Sequence, residues 1–105
     1  MRIILLAVSI GLATPAVADP VTIKGTYGFD IMKPQKSKCT KIDGALLAKL
    51  KKSYQCSAPE DPKASASGKT MIANCKTKKE DSIYMTFATA ADCREERETQ
   101  LANGP

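Results

Sequence analysis

Four cysteines constrain this chain more than any other feature. Cys39, Cys56, Cys75 and Cys93 follow one another at separations of 17, 19 and 18 residues. All lie beyond an N-terminal stretch, Met1 to Ala18, that carries the marks of an export signal. Arg2 supplies the positive start, and Ile3 to Ala13 is apolar apart from Ser9 and Gly11. Pro15 ends any helix, and Ala16-Val17-Ala18 has the small-x-small form of a cleavage site. The run falls short of the about 20 apolar residues that cross a bilayer, so no membrane span is expected. No cysteine stands at the cleavage point to take a lipid, and Arg2 alone does not make a twin-arginine signal. The short leader and its Ala-x-Ala site point to bacterial export, with a periplasmic or secreted product beginning at Asp19. Thiols pair in such oxidising compartments.

Residues 19 to 105 form one small α+β domain at most: an extended arm over 19 to 38 and a disulfide-bonded core over 39 to 105. A domain of this size buries only about 60–65% of its unfolded-chain surface. With three tyrosines, two phenylalanines and no tryptophan, its core is thin. Two bridges would add roughly 3 kcal/mol each by restricting the unfolded chain. The competing use of four cysteines is a zinc site, whose ligands come in pairs roughly two to four residues apart. No spacing here is that short, so disulfides are expected and no metal. An even count leaves no odd reactive thiol.

Local patterns give the elements. Val21 to Phe29 alternates loosely around Gly25 and Gly28, as an edge strand or arm does. Ile42, Leu46, Leu50 and Tyr54 recur at i+4 with Leu47 beside them, predicting a helix over 42–53. Asp43 at its start and Lys49, Lys51 and Lys52 at its end suit the helix dipole. Ser57 to Gly68, with Pro59, Pro62 and a small-residue run, reads as a mobile loop. Met71, Ala73 and Cys75, then Ile83, Met85 and Phe87 beyond a charged turn, predict an antiparallel hairpin with one apolar face. Thr89 and Asp92 open a helix that Asn103-Gly104 closes. Its apolar stripe is only Ala90, Cys93 and Leu101, so a bridge at Cys93 is expected to hold it. The sum is two helices on one face of a two- or three-stranded antiparallel sheet.

Three cysteine connectivities are possible. Cys39 and Cys56 flank a helix roughly 16 Å long, which sets them apart. Cys75 lies near the hairpin turn and Cys93 beyond its other end. If residues 54–58 pair with 70–76 across the long loop, Cys56 can approach either end of that strand, and the pairing expected is Cys39–Cys75 and Cys56–Cys93.

Charge is uneven. The chain carries +5 overall, and residues 24 to 52 hold eight lysines against Asp30 and Asp43. One reading is a solvated surface that keeps a small protein soluble; the other is a docking face for an anion, built from Lys38, Lys41, Lys49, Lys51 and Lys52. Other motifs carry less. Ser67-Gly68-Lys69-Thr70 echoes the end of a phosphate loop, but Lys63 stands where the first glycine belongs and a strand follows instead of a helix. Met71 and Met85 are core residues more simply than copper ligands.

The lack of histidine removes the commonest general base and nucleophile partner. No catalytic residue and no cofactor are expected. The expectation is therefore an exported non-catalytic protein that binds an acidic partner: an anionic glycan, a lipid headgroup or an acidic protein. No nucleic-acid signature is present. The alternative is a small hydrolase using two carboxylates or a Ser–Lys pair. A cleft with convergent carboxylates, or a serine beside a buried lysine, would favour it.

Overall fold

A computed structural model of the chain describes residues 20–104. The export leader expected at Met1 to Ala18 lies outside them. The elements run α1 (Pro20–Ile23), β1 (Tyr27–Asp30), β2 (Thr40–Lys41), α2 (Gly44–Ser53), β3 (Gln55–Ser57), β4 (Met71–Lys76), β5 (Ile83–Phe87) and α3 (Ala90–Asn103). The strands form a five-stranded antiparallel sheet in the order β2-β1-β5-β4-β3. The α+β class and the two disulfides agree with expectation, but two or three strands is an undercount. The short strands β2 and β3 have no run of alternating residues long enough to register in sequence.

The segment expected as an arm or edge strand is interior. β1 lies between β2 and β5, and Ile23 and Phe29 are fully buried. Gly25, at φ +89°, makes the turn out of α1 that only glycine adopts without strain, and its N–H donates to the Ile42 carbonyl at 2.9 Å.

Register parity shows that the helices do not share a face. Side chains alternate across a strand, and two core clusters result. One joins Ile23, Ile42, Leu50, Ala73 and Cys75, with Leu46 and Leu47 of α2 packed on it. The other joins Phe29, Met71, Met85, Phe87 and Cys93 of α3. Met85 is the cross-strand partner of Asn74, the neighbour of Ala73 and Cys75, so the clusters occupy opposite faces. The sheet is sandwiched between α2 and α3.

A β-bulge makes this possible. Met71 pairs with Phe87 but Ala73 pairs with Thr86, so Ile72 is an extra residue. Before it β4 points Met71 at α3; after it Ala73 and Cys75 point at α2. The predicted single apolar face of this hairpin is thereby split. The buried Thr86 hydroxyl accepts from Ala73 N–H at 3.0 Å and donates to the Ala73 carbonyl at 3.1 Å, satisfying groups the bulge displaces from the ladder.

The cysteine pairing differs from the expectation above: the bridges are Cys39–Cys93 and Cys56–Cys75. Cys56 and Cys75 are direct cross-strand partners with Cα atoms 3.9 Å apart. Pairing of residues 54–58 with 70–76 left Cys56 free to reach either end of that strand, and the register that sets it directly opposite Cys75 was not legible. Cys39 is carried to α3 by β2, which pairs with β1 beneath that helix.

Candidate functional site

The lysine-rich segment becomes a fixed surface through its backbone. After β1 the chain turns at Lys33, whose N–H donates to the Asp30 carbonyl, and Lys36 and Ser37 both donate to the Lys33 carbonyl at 3.0 Å. The Ser37 hydroxyl accepts from Asp30 N–H at 2.8 Å. From α3, Arg97 Nε donates to the carbonyls of Pro34 and Ser37 at 3.0 and 2.8 Å. The connector is held at both ends, so its lysines project from a defined frame.

That frame forms one wall of a cleft of about 340 Å³. Lys33, Lys36 and Lys38 line it from the connector, Lys49 from α2, Tyr54 from the end of α2 and Tyr84 from β5. The tyrosine rings meet edge to face, with centroids 5.8 Å apart. Asp30 is buried at the floor with its oxygens occupied. Oδ1 accepts from Met32 N–H at 2.9 Å and Ile83 N–H at 3.1 Å, and Oδ2 accepts from the Ser82 hydroxyl at 2.9 Å. Ser82 Oγ also lies 2.6 Å from Tyr54 Oη. Burial pushes the Tyr84 phenol above its ordinary value; the neighbouring Tyr54 and the Asp30 charge push the same way, against a hydrogen bond with Ser37. Tyr84 is therefore a neutral wall at physiological pH.

Of the lysines singled out in the sequence, the fold brings Lys38 and Lys49 together here. Lys41 pairs in register with Tyr27 and stands on the α3 face. Lys52 lines a second cleft, of about 730 Å³, with Lys76, Lys78 and Glu80. Lys51 is exposed and lines neither. Lys33 and Lys36 were visible as part of the basic segment but not as neighbours of Lys49. Asp30, Ser82 and Tyr84 gave no local signal, because strand pairing brings them in. Among the described residues, neither Lys33, Lys36, Lys38 nor Lys49 forms an ion pair; the two salt bridges are Lys69–Glu95 and Lys76–Glu80.

A second charged feature is structural. Glu96 of α3 is fully buried. Its carboxylate accepts from Ser67 N–H at 2.8 Å, the Ser67 hydroxyl at 2.6 Å, Ala66 N–H at 3.1 Å and Gln100 Nε2 at 2.7 Å. Burial alone would raise its pKa. The opposing hydrogen bonds win and hold it below the ordinary 4.5. The loop expected to be mobile is thus fastened to α3. The phosphate-loop echo has a physical counterpart: the Ala66 and Ser67 amides do cradle an anion, but that anion is the chain's own Glu96.

Each cleft is lined by a single carboxylate, Asp30 or Glu80, and among the described residues no lysine is buried. No group of three or more metal-ligating side chains occurs, and no helix is long and apolar enough to cross a membrane, among the described residues. Two disulfides in so small a domain are compatible with an oxidising location. No protein-family model, curated protein or solved structure matches the chain.

Proposed function

We propose that this chain is an exported, non-catalytic protein of the periplasm or cell exterior that binds an acidic partner through its lysine-rich face. The observation that supports this reading is the convergence of Lys33, Lys36, Lys38 and Lys49 on one cleft, on a connector held by Ser37 and Arg97. Four lysines and one carboxylate line it, and that carboxylate accepts hydrogen bonds from Met32, Ile83 and Ser82. Such a patch attracts anions through its summed field, and the attraction weakens with salt.

The test is binding of the oxidised protein to vesicles with and without anionic lipid over a salt series. Retention confined to the anionic vesicles and falling steeply as salt rises is expected. Equal retention on neutral vesicles, or retention indifferent to ionic strength, would defeat the reading.

A further inference from the structure

We propose that the cleft between the connector, α2 and β5 seats the phosphomonoester of a phosphorylated sugar. This rests on the anion-binding reading and narrows it to a ligand class.

The lining cations come first. All four are lysines, and no arginine lines the cleft. Arginine reads a carboxylate as a planar fork, whereas lysine acts as a compact point charge without a preferred ligand plane. A lysine set therefore selects by charge more than by shape. A phosphomonoester carries about −1.5 to −2 at neutral pH against the single charge of a carboxylate, so it gains most from four lysines lining one cleft.

The rest of the lining suits a sugar. At about 340 Å³ the cleft lies at the lower end of small-molecule sites and exceeds the needs of a phosphate alone. The rings of Tyr54 and Tyr84, set edge to face and half-buried, line the same cleft. Such walls offer apolar surface beside polar tips, which suits a ring with C–H faces and hydroxyl edges. The floor carboxylate, Asp30, accepts from Met32, Ile83 and Ser82, and among the described residues no ion pair ties it to these lysines. The Tyr54–Ser82–Asp30 chain fixes that floor before any ligand arrives.

The phosphomonoester has two sources: a soluble sugar phosphate and the headgroup of a phosphorylated glycolipid. Amide NMR of the oxidised protein, titrated with glucosamine 1-phosphate, glucuronate and inorganic phosphate, tests the chemistry. Vesicles with and without a phosphorylated glycolipid test the source. The expected result is saturable shifts at Lys33, Lys36, Lys49 and Tyr84. Binding of the sugar phosphate should be about tenfold tighter than of glucuronate and tighter than of inorganic phosphate.

Lys36 and Lys49 are exposed, so the double variant Lys36→Glu/Lys49→Glu should fold normally, checked by an unchanged α3 amide pattern. It should bind the sugar phosphate more than about tenfold more weakly. A glycolipid source shows as vesicle binding that the soluble sugar phosphate displaces; a soluble source shows as sugar phosphate binding with no glycolipid preference. Equal affinity for glucuronate, or shifts spread over Lys41, Lys51 and Lys78, overturns the proposal even if salt-sensitive retention on anionic vesicles persists. Loss of that retention as well removes the underlying reading.

Discussion

The two faces of the sheet are covered by helices attached in opposite ways. α2 docks by apolar burial: Leu50 is fully buried, Leu46 and Leu47 flank it, and Ile23 and Ile42 complete the layer. α3 offers the sheet a single buried hydrophobic side chain, Cys93, which is covalently tied to Cys39. Its remaining attachments are polar. Glu96 grips the long loop on one side and Arg97 grips the lysine-bearing connector on the other. A helix with little apolar surface can thus close a core, provided a bridge fixes its position and its charged groups meet backbone partners. The candidate anion cleft depends on both helices, since α2 supplies Lys49 while α3 holds the connector that carries Lys33, Lys36 and Lys38.

The sharpest break in this comparison is the Cys39–Cys93 bridge. It spans 54 residues, against 19 for Cys56–Cys75. Chain entropy assigns about 4 kcal/mol to the longer loop and about 3 kcal/mol to the shorter. Cys39→Ala/Cys93→Ala should therefore lower unfolding stability by about 4 kcal/mol in denaturant titrations. Hydrogen exchange should show α3 amides losing protection first while α2 keeps its own. Protection in α3 as strong as in the parent would mean that its polar contacts suffice.

Glu96 is the next test. The unfolded chain binds its proton more tightly than the folded one, because hydrogen bonds from Ser67, Gln100 and Ala66 outweigh burial and depress the folded pKa. Its contribution is thus fully present above the ordinary 4.5 and is lost as pH falls through the lower folded value. Glu96→Gln should cost about 2 kcal/mol at neutral pH, since an amide cannot accept from all four donors. The variant should also show a shallower fall in urea midpoint between about pH 5 and pH 3. Parallel curves for the two proteins would place the acid sensitivity elsewhere.

How much of this was legible follows the same division. α2 was readable because Ile42, Leu46 and Leu50 repeat at helical spacing, and the Thr89 cap was readable from its side chain; Asp43 read as a dipole charge inside a helix from 42, whereas it caps one that starts at Gly44. The strands of the β4–β5 hairpin were readable from alternation, but the extra residue at Ile72 was not. A bulge changes which face a side chain takes without changing the pattern of residue types. β3, three residues long, is too short for its pattern to fix a register against β4, and the pairing error at Cys56 followed from that. Nothing in the sequence sets Glu96 apart from Glu95 and Glu98, because its partners Ala66 and Ser67 lie 30 and 29 residues away in a run of small residues. In the cleft, the lysines could be seen as a group, but Lys41 is excluded by the side of the sheet it stands on, and Lys51 lies on the same helix as Lys49 without lining the cleft.

The smallest effect separates the helices by their coupling. Asp43 Oδ1 accepts from Leu46 N–H at 3.0 Å, and Thr89 Oγ1 accepts from Asp92 N–H at 3.1 Å. Each cap replaced by alanine should cost about 1 kcal/mol in the oxidised protein. The two should diverge when the Cys39–Cys93 bridge is absent. Thr89 lies one turn before Cys93, so its cap stabilises a helical end that the bridge holds against the sheet. Without the bridge that end detaches before global unfolding, and Thr89→Ala should then cost less, by about 0.5 kcal/mol or more. Asp43 serves a helix held by Leu50 and its neighbours, so Asp43→Ala should add to the bridge variant within about 0.5 kcal/mol. A double-mutant cycle from denaturant midpoints measures both couplings. Equal additivity at the two caps would show that α3, like α2, stays docked without its covalent tie.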